Sequence, residues 1–451
     1  MPQQLAKSTT WRARRISFMH RVHARRAARV VAATAFVSAP EPRSIGIVAR
    51  GRQLIAGNFL FSGLLVEGPR RSIWDIAEQK PAVADDIHGS TWLDDLAAVG
   101  DDRARARAQT WVFEWIKRYG KGDGPGWIPD VAGRRLIRWI NHGFFLLRNQ
   151  EKEATDAFFQ SLAQQTLFLS RRWQTASPGL PRFEALAGTV YAGLSLEGME
   201  HHADQAVAAL AADCTSQIDA TGSIATRNPE ELLNILTLLN WTIQALQETR
   251  RSVPPEIKEA VERIVPNLRA MRHADGCLAR FHGGGGGLDG QLDQAFADSG
   301  VKDLPGPGTH MGFARLTGGR TTLIADAGKP PMGEASARGH ASTLAMELTS
   351  GRRPVIVSCG SGARFGKEWR RASRATPSHS VLGLDGVSSS NLGKQDDLLT
   401  KVPSQIRMRN DEPRKLELSH NGYQLDYGLT CARILALSVD GRTLDGEDLL
   451  A

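Results

Sequence analysis

The spacing of apolar and polar positions changes along the chain, and each change predicts a different kind of element. Between Trp92 and Arg272 the apolar residues follow a helical period. Leu136, Ile137, Ile140, Phe144 and Leu147 fall on one face, with Arg134, Arg135, Arg138 and Arg148 among them, as on a helix that turns one stripe to a core. Phe158, Leu162, Leu169 and Trp173 line the next helix. Between Glu230 and Glu248 the pattern is fuller. Leu232, Leu233, Ile235, Leu236, Leu238, Leu239 and Trp241 leave only a narrow polar strip through Asn234, Thr237 and Gln244, so this helix is expected to be buried on most sides. Asn228-Pro229-Glu230 marks its start, with a capping Asn before Pro at the first helical position. Short turns with Pro or Gly separate these helices, which makes neighbours antiparallel.

After Pro305 the period shortens to that of strands. Residues 313–317, the turn Gly318-Gly319 and residues 321–325 predict a hairpin. Leu344, Met346 and Leu348 alternate with Ala345, Glu347 and Thr349, the pattern of a half-buried strand. Ser350-Gly351-Arg352-Arg353 is a turn, and Val355-Ile356-Val357 the return strand. His340 enters the first of these strands, and His379 stands just before Ser380-Val381-Leu382, read as another. Residues 416–419 and 423–427, joined through His420-Asn421-Gly422, predict a second hairpin. Residues 431–439 run to the turn Asp440-Gly441, and 444–451 follow. Between the helical and strand regions lie five consecutive glycines, 283–287. Either they form a flexible connector or the backbone there must approach a ligand closely, where side chains would obstruct it.

A chain of 451 residues exceeds one ordinary core, so two domains are expected. Apolar residues make up 41% and charged residues 23%, as in globular proteins. The net charge of +8 favours polyanionic partners. Cys214, Cys277, Cys359 and Cys431 form no CxxC pair and read as buried free thiols. No apolar run approaches the roughly 20 residues of a membrane span. Seven arginines between Arg12 and Arg29 precede the short apolar run at 30–37, and Val37-Ser38-Ala39 has the look of a cleavage site. An amphipathic basic helix is the favoured reading of this arm. Nucleic-acid binding by it would be steeply salt-dependent and is the weakest of the functions considered. Residues 41–90 are rich in Gly and Pro; their Gly51–Gly57 spacing lacks the Gly-Lys-Ser/Thr ending of a phosphate loop. Asp85-Asp86, Asp94-Asp95 and Asp101-Asp102 read as solvated helix starts, and His201-His202 as surface residues. No G-x-S-x-G motif is present.

The segment from Ala337 to Gly386 resembles the C-terminal sheet domain of the heparinase II/III-like polysaccharide lyases. That family carries a pattern like H-x-H-A-D-x-L-S-F-E-L, a strand ending near D-S-G, a Trp-Arg segment, and A-H-N-T before D-G. The matching residues are 338–348, Val357-Ser358-Cys359-Gly360, Trp369-Arg370 and Ser378-His379-Ser380. The resemblance implies an α+β fold, with an N-terminal incomplete (α/α) toroid and a C-terminal antiparallel β-sandwich, here expected to end short of the family's full strand set. The organisation expected is a basic helical arm at 1–40, the toroid at 41–290 and the sandwich at 305–451.

It also implies β-elimination of an acidic, uronate-containing glycan. The uronate carboxylate must be neutralised, a base must take the adjacent C–H proton, and an acid must protonate the departing oxygen. His340, His379 and Tyr191 are the catalytic candidates, and Arg338, Asn228, Arg280, His282, Arg370 and Arg371 the substrate-binding ones. Arg338 replaces the family's leading histidine; it can neutralise a carboxylate but cannot act as base. No cofactor is expected: zinc needs a third ligand, and Ser342 and Ser358 stand at the family's Asp positions. An acidic polysaccharide is the expected partner, in the cell envelope or periplasm, although the residues themselves leave the cytoplasm open. Two alternatives stand beside the lyase. One is a glycan-binding protein of this fold that has lost the reaction; the other is a toroid glycoside hydrolase using carboxylates such as Glu184, Glu230 and Asp289.

Overall fold

The computed structural model describes residues 2–31, 33–37, 41–61, 63–68, 71–384, 386–393 and 398–451. Two of the three residues of the cleavage-like Val37-Ser38-Ala39 lie outside them. The chain forms two compact units, Met1–Cys214 with Trp241–Lys258, and Thr215–Asn240 with Glu259–Ala451.

The first unit is built of helices. The basic arm forms the helix Pro2–Ala27, and no described helix is long and apolar enough to cross a membrane. The Gly- and Pro-rich stretch proves structured. It holds the helices Val48–Ala56, Ile73–Gln79 and Pro81–His88 and a hairpin of β1 (Asn58–Phe61) and β2 (Leu64–Glu67). Ser72 caps the second of these helices by accepting from the Trp74 N–H, and Pro81 opens the third. The helices Pro129–Asn141 and Leu180–Ser195 approach backbone to backbone. A Cβ on Gly133 would lie 2.2 Å from the Glu184 carbonyl oxygen, and one on Gly188 2.6 Å from the Gly133 Cα.

The core of this unit is aromatic, with Trp74, Trp92, Trp111, Trp115, Trp127 and Trp139 all buried. Arg135 lies inside it, not on a solvated flank. Its guanidinium stacks over Trp115 at 4.0 Å and donates to Gln165 Oε1 and to the carbonyls of His88 and Gly126. Three expectations need correcting. The apolar face read through Leu147 is broken, because Pro129–Asn141 ends before His142 and leaves Phe144 exposed. Asp94 is buried, not a solvated helix start: Ser44, Arg138 and His142 all bond its carboxylate. Asp101 does cap a helix, accepting from Ala104 N. His202 is buried as well, contrary to the surface reading.

In the second unit the helix Pro229–Glu248 begins as its sequence predicts. The Asn228 side chain accepts from the N–H groups of Glu230 and Glu231, and Leu232, Leu233, Leu236 and Leu239 are buried. Two four-stranded antiparallel sheets follow. One runs in the order β3 (Phe313–Gly318), β4 (Thr321–Asp326), β5 (Met346–Ser350), β6 (Arg353–Ile356). After the short pair β7 (Asn391–Leu392) and β8 (Leu399–Thr400), the other contains β9 (Ile406–Arg409), β10 (Lys415–Tyr423), β11 (Leu429–Leu437) and β12 (Leu444–Leu450), ordered β12-β11-β10-β9. Leu316, Leu323, Ala325 and Leu348 from one sheet meet Leu416, Leu418, Leu435 and Leu437 from the other, so the two form a sandwich.

Three local readings change. His420-Asn421-Gly422 is not a turn: β10 runs through it with a register shift, and the chain reverses over Gln424–Tyr427. Leu344 sits before β5 with φ of +67°, outside the strand. Ser380-Val381-Leu382 belongs to no strand. Of the four cysteines, Cys214 and Cys431 are buried, whereas Cys277 is partly exposed and Cys359 exposed.

Replacing Gly188 by Ala places a methyl group against the Gly133 backbone. The variant should lose about 1–3 kcal/mol of stability, read as a lower thermal midpoint; an unchanged midpoint would mean that the two helices can part without cost.

Candidate active site

The site is built around a buried ion pair of the second unit. Arg227, the residue before the helix cap, holds a φ of +51°. Its guanidinium donates to the carbonyls of Met311, Gly312 and Lys329 and, at 2.6 Å, to Asp326 Oδ1. It also lies over the Phe313 ring at 4.5 Å. Asp326, the last residue of β4, accepts on its other oxygen from Ser342 Oγ at 2.9 Å. Burial pushes this carboxyl up from its usual range, against the pull of Arg227 and Ser342.

Three histidines gather beside the pair. His282 Nε2 is 3.5 Å from Asp326 Oδ2, too poorly aligned to be a hydrogen bond. Its Nδ1 accepts from the His340 backbone N–H at 3.2 Å, so the ring proton belongs on Nε2. The His340 and His379 rings are 5.1 Å apart, and His282 and His340 6.4 Å. His379 Nδ1 meets Ser358 Oγ at 3.1 Å. His340 Nδ1 and His379 Nε2 are buried with no partner. Burial lowers all three imidazoles. His379 falls to about 4; His282 and His340 fall well below the ordinary value, with the neighbouring rings and the guanidiniums of Arg227 and Arg374 adding to the effect. All three are neutral at pH 7.

Local chemistry explains why the chain brings them here. His379 follows the short turn Thr376–Ser378 instead of entering a strand. Arg374, which sequence reading did not single out, donates to the carbonyls of Gly339 and Ser336 and accepts from Ala341 N, clamping the His340 segment on both sides. The glycine run is not a loose connector. Gly285 N donates to Glu230 Oε2 at 2.7 Å, and a Cβ on Gly284 would lie 2.5 Å from Asn228 Oδ1. Gly283, at φ +83°, leaves only hydrogen where a side chain would stand 3.7 Å from His340 Nε2. At Gly284 the close approach of the Asn228 side chain, and at Gly283 and Gly287 a positive φ, call for glycine.

Of the substrate-binding candidates, Arg338 is exposed and pairs with Glu231 at 3.3 Å. Arg370 donates to Ala337 O, and Arg371 to Leu392 O and Gly393 O. Asn228 and His282 are buried, and the Asn228 amide donates to His282 O at 3.3 Å. The Arg280 N–H donates to Glu347, a buried carboxylate of β5 that also meets His273 Nε2 and Ser358 N. Tyr191 belongs to the first unit. It is buried in the helix Leu180–Ser195 with no partner for its hydroxyl, and burial raises its pKa. Of the carboxylates weighed for hydrolysis, Glu184 lies in the first unit and Glu230 and Asp289 in the second. Among the described residues no three His, Cys, Asp or Glu side chains gather to hold a metal ion.

Comparison with known proteins gives three findings. The sequence model described as "Heparinase II/III-like, C-terminal" matches residues 303–451. The FtsZ-localized protein C of Caulobacter vibrioides is 31% identical over 430 residues, covering 91% of this chain and 72% of that protein. Among solved structures, heparinase III superposes with a TM-score of 0.63 at 13% identity, over 95% of this chain and 74% of that one. A heparan sulfate lyase HepC mutant from Pedobacter heparinus does so with a TM-score of 0.52 at 15% identity, over 88% and 68%. At these identities the structures share the fold.

The buried cluster makes two predictions. Asp326→Ala leaves the Arg227 guanidinium buried without its counter-charge and should cost about 3–5 kcal/mol, measured by denaturant unfolding. The histidines set a pH dependence. Because their folded pKa values lie below the ordinary 6.5, the unfolded chain binds more protons below that pH, and stability falls as pH drops from about 6.5 towards 4. His379→Asn should make the fall between pH 7 and pH 5 shallower; an unchanged slope would remove His379 from the effect.

Proposed function

The chain belongs to the heparinase II/III-like family, and from that premise we propose that it is a polysaccharide lyase cleaving an acidic, uronate-containing glycan by β-elimination. The observation that carries the reading is the pair His340 and His379. They are neutral and adjacent, each with a free ring nitrogen; Arg338 lies two residues before His340, and Arg370, on a separate helix, bonds Ala337 O. A neutral imidazole can accept a proton, whereas a protonated one cannot.

In the proposed reaction Arg338, with Arg370 and Arg371, neutralises the uronate carboxylate and makes the adjacent C–H acidic. An imidazole of the His340–His379 pair takes that proton. The electron pair forms the new carbon–carbon double bond as the glycosidic C–O bond breaks. The imidazolium so formed gives the proton on to the departing oxygen; Tyr191, the acid that the resemblance implies, belongs to the first unit, beside Arg43 and Glu248, and takes no step here. Asn228, Arg280 and His282 belong to the substrate-binding set by holding the glycine segment and Glu347 in place. No step of the proposal is routed through zinc; Ser342 and Ser358, at the family's Asp positions, bond Asp326 and His379. The expected partner is an acidic polysaccharide met in the cell envelope.

A second reading is glycan binding without turnover. It is favoured by the depth of the imidazoles, His340 at 1% exposure and His379 at 8%, by Arg338 in place of the family's histidine, and by a relative named for its localization with FtsZ. Hydrolysis has less support, because Glu230 is taken up by Gly285.

The two readings part on one measurement. The lyase generates unsaturated products that absorb in the near ultraviolet from at least one glycan in a panel of uronate polymers. His379→Ala should lower that rate by about a hundredfold or more while binding persists. Binding with no absorbance change across the panel leaves the second reading in possession.

A further inference from the structure

We propose a second anion site on the sheet β3-β4-β5-β6, formed by the turns that join its strands in pairs, and assign to it a stretch of acidic oligosaccharide. It rests on the glycan part of the reading above and not on turnover. A cavity of about 890 Å³ opens there, lined by Arg320, Arg352, Arg353, Ser350, Val355 and Ala274. That volume suits a small ligand such as one or two sugar rings. The three arginines are exposed, and among the described residues none makes an ion pair with a carboxylate. The nearest acid on the adjoining turn is engaged elsewhere: the Asp440 carboxylate accepts from Ser438 Oγ at 2.7 Å and Arg442 N at 3.1 Å.

The guanidiniums are carried on a braced frame. Gly351 N donates to the Arg320 carbonyl at 2.8 Å, joining the β5–β6 turn to the β3–β4 turn. The Thr321 hydroxyl contacts Ser350 Oγ at 3.2 Å and donates to Gly441 O at 2.7 Å, joining both to the turn after β11. A Cβ on Gly319 would lie 2.1 Å from Asp440 O, and one on Gly441 1.9 Å from Gly318 O, so these turns touch through bare backbone. Three forked donors carried around one cavity can meet carboxylate or sulfate groups two oxygens at a time. Val355 and Ala274 offer an apolar floor to a sugar ring.

An acidic peptide added as a strand along β6 is the competing occupant. It is disfavoured because Pro354 removes an N–H from the edge, and because the arginines surround a cavity instead of running along the strand. The test is binding of a labelled sulfated uronate octasaccharide to the full chain and to the triple variant R320E/R352E/R353E. The expected result is affinity at least about tenfold weaker in the variant, with its thermal midpoint unchanged because the replaced side chains are exposed. Equal affinity overturns the proposal. So does a poly-glutamate peptide that displaces the octasaccharide as well as unlabelled octasaccharide does. The readout needs no reaction: a parent protein that binds but yields no unsaturated product sinks the lyase reading and leaves this site standing.

Discussion

The buried contact between Arg227 and Asp326 is the constraint on which the second unit is organised. A buried ion pair contributes little net stability, since desolvation offsets most of its Coulomb attraction. Its worth here is positional. Arg227 precedes the helix cap at Asn228 and gathers three carbonyls from the chain around β3 and β4. Asp326 ends β4 and receives Ser342, two residues beyond His340. One salt bridge therefore fixes a helix start, a hairpin and a histidine-bearing segment with respect to each other. The glycine run is then held between Asn228, Glu230 and the His340 segment, most tightly at Gly284, where a Cβ would lie 2.5 Å from Asn228 Oδ1.

Elements whose pattern is set by local forces were legible in the sequence. The hairpin of β3 and β4 follows from apolar runs on either side of Gly318-Gly319, and the helix start at Pro229 from its cap. Elements whose polar residues are buried were not. Glu347 reads as the wet side of an alternating strand, yet its partners His273, Arg280 and Ser358 come from distant positions. The same holds for Arg135, which looks like a solvated helix charge and sits instead among tryptophans. Local periodicity reports polarity, not whether a remote group satisfies it. The Asn-Gly pair in β10 failed for a related reason: a bulge absorbed it, and cross-strand pairing with β9 and β11 outweighed its turn preference.

The candidate site was half readable. His340, His379 and Arg338 stood out through resemblance, and the fold brings them within one unit. Asp326 and Arg374 did not stand out. An aspartate at a strand end and an arginine in a basic loop are ordinary in sequence, and only their burial makes them unusual. The better signal was available in the residues before them. Thr321 to Asp326 is a strand buried at every position, and a carboxylate closing such a strand must find a counter-charge.

Whether the cluster reacts or only binds turns on how burial treats its two halves. Desolvation keeps the imidazoles neutral, which a proton acceptor requires, but the same desolvation withdraws them from solvent-borne substrate. The guanidinium of Arg338 is outside and able to meet a carboxylate in either case. The backbone beside His340 is that of Gly283, where an added Cβ would stand 3.7 Å from Nε2. A glycine there gives the least steric obstacle that a covalent chain can offer, and a φ that other residues adopt only at a cost. If the position served packing alone, filling the space would be favoured, since unfilled volume beside a buried ring forfeits dispersion contacts. Against that, the φ of +83° by itself calls for glycine there, so the volume beside His340 stays open under either reading.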